Sequence, residues 1–81
     1  ADKYTLVRTT EREWVIRTPL KELEAELDPE HFWRVHRNTI VRVGAIDAAR
    51  RDMMGRVNLV MKGMREPVAV SRAYAHRFRQ R

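Results

Sequence analysis

Cysteine is absent from the 81 residues, which excludes disulfides and thiolate metal sites. Serine occurs once, as Ser71, and its position ahead of a helical stretch fits a helix cap better than a nucleophile. The three glycines stand apart, so no glycine-rich phosphate loop can form. His31 and His36 are five residues apart, His76 lies far from both, and no His-Glu-x-x-His pattern exists. These shortages leave an enzyme reading little support: no catalytic residue, no metal ligand and no cofactor is expected. Long apolar runs are missing too. None approaches the roughly 18 residues that span a bilayer, and Ala1-Asp2-Lys3-Tyr4 does not resemble a signal peptide. A cytoplasmic protein without membrane contact is the expectation.

Charge is abundant and unevenly placed. Lys plus Arg is 17 against 11 for Asp plus Glu, a net +6. Residues 1–30 hold five basic and eight acidic side chains, net −3, whereas residues 31–81 hold twelve basic and three acidic, net +9. Arginine outnumbers lysine 14 to 3. Its forked guanidinium binds phosphate or guanine through two hydrogen bonds, where lysine acts as a point charge. An arginine-rich half is the charge footprint of a nucleic-acid binder.

The order of elements follows from local pattern, and the length fits a single domain over 1–81. Tyr4 to Thr10 is rich in β-branched residues, and Trp14 to Arg17 returns, so a hairpin turning at Glu11–Glu13 is predicted. Thr18 is placed to N-cap a helix with Pro19 at its first position. Leu20, Leu23 and Leu27 form its apolar face, with Glu22, Glu24 and Glu26 toward solvent. Asp28-Pro29 ends it and starts a short turn that delivers Phe32 to the core. Thr39 to Val43 reads as a strand, Ala45 to Arg51 alternates loosely, and Met53-Met54-Gly55 reads as a turn, its methionines as turn and core filler. Val57, Leu59 and Met61 give the cleanest two-residue period. Gly63-Met64-Arg65 turns the chain, Pro67 to Val70 is a short strand, and Ser71 caps a terminal helix with Tyr74 and Phe78 inward. Regular strand–helix alternation is missing, so the predicted sheets are antiparallel.

The stretch Phe32-Trp33-Arg34-Val35-His36-Arg37-Asn38-Thr39-Ile40-Val41 alternates apolar and basic residues before the strand. It reads either as a buried edge with solvated arginines or as a basic loop leading into a sheet and aimed at DNA. Its pattern, Phe-x-Arg-hydrophobic-His-Arg-Asn-x-hydrophobic-Val, resembles the signature of the LytTR DNA-binding domains. Leu20-Lys21-Glu22-Leu23, Val57-x-Leu59-x-Met61-Lys62-Gly63 and Pro67-Val68-Ala69-Val70-Ser71-Arg72-x-Tyr74 resemble three further pieces of that family, in the family's order. Together they cover nearly the whole chain.

The resemblance implies a mainly β fold with short helices: an elongated stack of small antiparallel sheets, an amphipathic helix and a short C-terminal helix. It implies sequence-dependent binding of double-stranded DNA as the output domain of a bacterial two-component response regulator. Loops and the helix edge, rather than a recognition helix, would enter successive major grooves. Arg37 and Arg72 match base-contacting positions, and Lys3 or Tyr4 would supply a third contact. Arg34 and Asn38 lie in the same motif, and Arg50 and Arg51 are candidate phosphate contacts. A receiver domain is expected in the intact protein. Family members carry one or two further strands before the point where this sequence starts. The first sheet is therefore expected to expose an edge, so that the domain either self-associates, a homodimer included, or is less stable than it would be with those strands. Arg42 stands where the family commonly has asparagine. His36 reads as a hydrogen-bonded structural residue, Trp14 and Trp33 as partly buried packing residues, and Arg77, Arg79 and Arg81 as phosphate contacts at most. The competing reading from another class is a basic interaction module for an acidic protein partner. Single-stranded RNA binding would need exposed aromatics among the basic residues. Phe32, Trp33 and Tyr74 are expected to be buried.

Overall fold

Short segments, most of them rich in β-branched or aromatic residues, make seven strands among the described residues, none longer than six residues. The computed structural model describes residues 3–78. Strands β1 (Thr5–Arg8) and β2 (Glu13–Ile16) form a hairpin, followed by helix α1 (Leu20–Glu26). Strands β3 (Phe32–His36) and β4 (Thr39–Arg42) form a second hairpin. A 3-10 turn at Val43–Ala45 leads to the sheet β5 (Ile46–Arg51), β6 (Val57–Met61) and β7 (Val68–Val70), and a 3-10 helix spans Arg72–Phe78. The three sheets are separate and antiparallel, with orders β1-β2, β3-β4 and β5-β6-β7. The longest dimension is 37 Å against 26 and 22 Å, the elongated β-rich stack that the motifs imply.

The core lies between the second and third sheets. Val35 and Leu59 are fully enclosed, and Val41, Val57, Met61 and Val70 are buried beside them. Val57, Leu59 and Met61 alternate inward along β6 as their period predicts. Tyr74 and Phe78 close the core from the C-terminal helix, and Phe78 meets Trp33 edge to face at 5.6 Å. Leu20, Leu23 and Leu27 are the half-buried face of α1, while Glu22, Glu24 and Glu26 are exposed.

Several local expectations change. Phe32–His36 is a strand rather than a loop: its alternation seats Val35 inward, and only Arg37 and Asn38 remain as the connection. Thr18 does not cap α1. Pro19 occupies the N-cap without a side-chain bond, and the Thr18 carbonyl accepts the Thr5 hydroxyl, tying β1 to the helix entrance. The turn after α1 is built as predicted: Asp28 accepts the Glu30 amide at 2.9 Å and pairs with His31 Nδ1 at 2.9 Å. Met53 and Met54 are not core filler but project into solvent. Trp14 is 41% exposed, with Arg12 over its ring at 5.2 Å. Arg79 and Arg81 lie outside the described residues.

Candidate nucleic-acid interface

The β3-β4 hairpin presents Arg37 and Asn38, both exposed, between the closing pair His36 and Thr39. Two-residue hairpin loops usually need positive φ angles, because that twist matches the strands. No non-glycine residue here has one among the described residues. The ladder instead shifts register between Arg34 and His36, leaving Val35 as an extra residue. That bulge frees the Val35 carbonyl, which accepts the Ser71 amide at 2.8 Å. The junction between β7 and the C-terminal helix is thereby fixed beside the hairpin. Arg72, the next residue, is exposed within two residues of that bond, as Arg37 is on the other chain segment.

Arg34 holds the hairpin tip from below. Its Nε donates to the His36 carbonyl at 2.9 Å, Nη2 donates to the Arg37 carbonyl, and Nη1 meets Glu24 Oε1 at 2.6 Å. Its side chain is only 15% exposed. Three engaged nitrogens and this burial make Arg34 a positioning residue for Arg37. Glu24, expected to face solvent alone, is its partner across ten residues of sequence. The Asn38 amide lies 3.4 Å from His36 Nδ1, so His36 also serves the turn.

The third loop at this end joins β5 to β6. Arg51 pairs with Val57, and Val57 pairs with Val70, so the 52–56 tip projects beside Ser71 and Arg72. Asp52 accepts the Arg56 and Met54 amides at 2.9 Å and pairs with Arg56 Nε at 2.9 Å. The Arg56 amide, assisted by its guanidinium and the Met54 amide, holds the Asp52 carboxyl below its ordinary value of 3.8. Gly55, at φ 81°, closes the turn, and its carbonyl accepts Arg51 Nη1 at 3.1 Å.

Arg50, Arg51 and Arg65 line a shallow groove of about 460 Å³ together with Asp52, Asn58, Val60 and Pro67. Among the described residues, no carboxylate pairs with Arg37, Arg50, Arg51 or Arg72. This end therefore offers the guanidinium groups of Arg37, Arg50 and Arg72 without carboxylate partners, on backbone held by hydrogen bonds, while Arg51 is bonded to the Gly55 carbonyl. Lys3 and Tyr4 are exposed but lie elsewhere, in a groove with Arg17, Pro19 and Glu22. The Arg17 guanidinium sits 5.9 Å from the Tyr4 ring. Trp33 is half-buried under Arg77 at 5.3 Å, so it is not an open stacking platform.

A family model for the LytTr DNA-binding domain matches residues 1–81. The chain belongs to the LytTR DNA-binding domain family. It is similar to an uncharacterized response regulatory protein of Vibrio cholerae serotype O1, 41% identical over 94% of this chain and 28% of that protein. It is 37% identical to the positive alginate biosynthesis regulatory protein of Pseudomonas aeruginosa, over 76% of this chain and 25% of the relative. It is 38% identical to the CO-responsive transcriptional regulator RcoM of Rhodospirillum rubrum, over 74% and 25%. The LytTR domain therefore spans about a quarter of the length of the curated relatives it matches. No solved structure matches it. The domain is a DNA-binding module of transcription regulators. Among the described residues no helix is long and apolar enough to cross a membrane.

Arg34's structural role and the methionine tip were missed at the level of sequence. Nothing in the spacing of Glu24 and Arg34 marks them as partners, and Met53-Met54 looks like any apolar pair in a turn.

Proposed function

We propose that this domain reads double-stranded DNA through Arg37 and Arg72, as the output domain of a response regulator whose intact chain carries a receiver domain. The carrying observation is the 2.8 Å hydrogen bond from Ser71 to Val35, which joins the β3-β4 hairpin bearing Arg37 to the start of the C-terminal helix bearing Arg72. The hairpin tip and the helix start each enter a major groove, where arginine bonds guanine O6 and N7 together and discriminates by about 1–3 kcal/mol. Asn38 contacts the edge beside Arg37. Arg50 and Arg51 neutralise phosphates. Lys3 and Tyr4, in their separate groove, supply a further contact along the duplex. Two copies bind one operator as a homodimer on repeated half-sites.

The test uses a duplex recovered from a randomised pool by the wild-type domain, compared with a scrambled duplex at one salt concentration. Arg37→Ala and Arg72→Ala weaken the selected duplex far more than the scrambled one, whereas Arg50→Ala weakens both about equally. Equal loss on both duplexes for Arg37→Ala and Arg72→Ala would make them phosphate anchors and end this assignment. With about five phosphates neutralised, log K falls with log salt at a slope of roughly −4 to −5. A flat salt response would remove phosphate contact altogether and favour an acidic protein partner.

A further inference from the structure

The β5-β6 tip carries the most exposed apolar surface of the described residues. Met53 is 103% exposed and Met54 is 77% exposed, although a methionine side chain gains by leaving water. The tip is not loose. The Asp52 amide donates to the Arg56 carbonyl at 2.9 Å, and the Gly55 amide donates to the Asp52 carbonyl at 3.0 Å. The Asp52 side chain accepts three further bonds within the tip. Two unbranched apolar side chains are thus held out on a rigid turn.

Their surroundings decide what they fit. Arg50, Arg51 and Arg56 flank them on the same hairpin, and Arg72 follows Ser71 at the adjoining end of β7. The lone carboxylate of the tip, Asp52, is already engaged by Arg56. A positive collar around an apolar point is complementary to a polyanion with an apolar interior, which is the make-up of stacked base pairs between phosphates. Methionine is among the residues that part base steps from the minor groove and bend a duplex.

We propose that Met53 and Met54 form a wedge that enters a base step from the minor groove and bends the bound DNA. The inference rests on the DNA reading above and adds to it a contact that distorts DNA rather than reading base edges. Pyrimidine–purine steps unstack most readily, so the wedge selects a TA or CA step at its position in the site. This selection needs no hydrogen bond to a base.

The experiment uses a duplex recovered from a randomised pool by the wild-type domain, with donor and acceptor dyes at its ends. A second copy carries 2-aminopurine at its central TA or CA step. Wild-type binding shortens the end-to-end distance and raises 2-aminopurine fluorescence. Replacing both residues, Met53→Ala with Met54→Ala, leaves the melting temperature and the salt slope unchanged. It abolishes the bend and the fluorescence rise and weakens binding by roughly ten- to a hundredfold. Met53→Leu with Met54→Leu restores all three. Bending and unstacking that survive in the alanine variant overturn the wedge. Weaker binding by the alanine variant, without any wild-type bend, places the methionines on base edges and also overturns it. Wild-type binding with neither bend nor unstacking overturns the wedge and leaves the DNA reading standing. Failure of the wild type to bind any duplex removes both.

Discussion

The β5-β6-β7 sheet and the β1-β2 hairpin are written in much the same strand vocabulary, yet they stand differently in the molecule. The three-stranded sheet buries Val57, Leu59, Met61 and Val70 against Val35 and Val41. The hairpin buries only Thr5, and it leaves Leu6 at 51% and Val15 at 62% exposure as direct cross-strand partners. Polar devices hold the hairpin. Thr9 accepts the Glu11 and Arg12 amides in a threonine turn, and Arg8 pairs with Glu13 at 2.7 Å. Its tip rests on the β6-β7 turn, where a Cβ on Gly63 would come within 2.7 Å of Thr10 Cγ2. Period-two alternation therefore specifies a strand and its two faces, but it does not say which faces find a partner.

The largest effect should come from the enclosed side of that comparison. Leu59→Ala leaves a cavity no neighbour can fill and should cost about 2–5 kcal/mol. For a domain with roughly 4–12 kcal/mol of total stability, that is a large share. Urea unfolding would read it as a lower midpoint at unchanged slope. Arg34→Ala comes next, at about 2 kcal/mol, since two carbonyls and Glu24 lose a charged donor. Glu24→Gln should cost no more than about 0.5 kcal/mol, because Glu24 is half-exposed and its attraction is screened. Equal losses for the two variants in thermal melts would mean that the ion pair, and not the grip on the loop carbonyls, supports Arg37.

Gly63→Ala and Gly55→Ala separate contact from conformation. Both positions need positive φ, at 72° and 81°, which costs a side chain about 1–2 kcal/mol. Only Gly63 also meets a neighbour, since nothing lies within 4 Å of a Cβ at Gly55. The Gly63 variant should be the less stable and should show faster amide exchange in the β1-β2 hairpin. Identical stabilities would mean that Thr10 moves aside at no cost. Val15→Ala should change stability by less than about 0.5 kcal/mol. A loss comparable to that of Leu59→Ala would show that this face is covered in solution, which would break the contrast between the two regions.

The smallest effect is local and pH-dependent. Asp52 titrates below 3.8 because the folded tip hydrogen-bonds its charged form, with the Arg56 amide foremost. Its contribution to tip order is complete above 3.8 and is lost as pH falls through the lower folded value. Asp28 behaves alike, lowered first by the Glu30 amide and then by His31. Carboxyl chemical shifts followed by NMR should give midpoints below 3.8 at both sites. An ordinary midpoint at Asp52 would mean that the turn presenting Met53 and Met54 is not held by its carboxylate.

Much of this architecture was legible in the residues. Apolar spacing placed α1, Val57-Leu59-Met61 announced β6, and the motif around His36 put Arg37 in a loop and named the family. Local physics suffices for these, because period, turn chemistry and charge act over a few residues. The strand Phe32–His36 was not legible, since alternation with basic residues suits both a solvated loop and a half-buried edge. The burial of Val35 resolved it. Arg34 could not be separated from Arg37 as a supporting rather than presenting arginine, because its acceptors include Glu24 on a helix ten residues away. Nor could Met53 and Met54 be distinguished from core residues. Hydrophobicity states what a side chain gains by leaving water, whereas exposure depends on whether another element arrives to cover it. The sequence by itself determined α1, β6 with its two faces, and the concentration of arginine in residues 31–81. The tertiary structure alone decided that a bulge at Val35 would free a carbonyl for Ser71, because such a bond needs two segments 36 residues apart to meet.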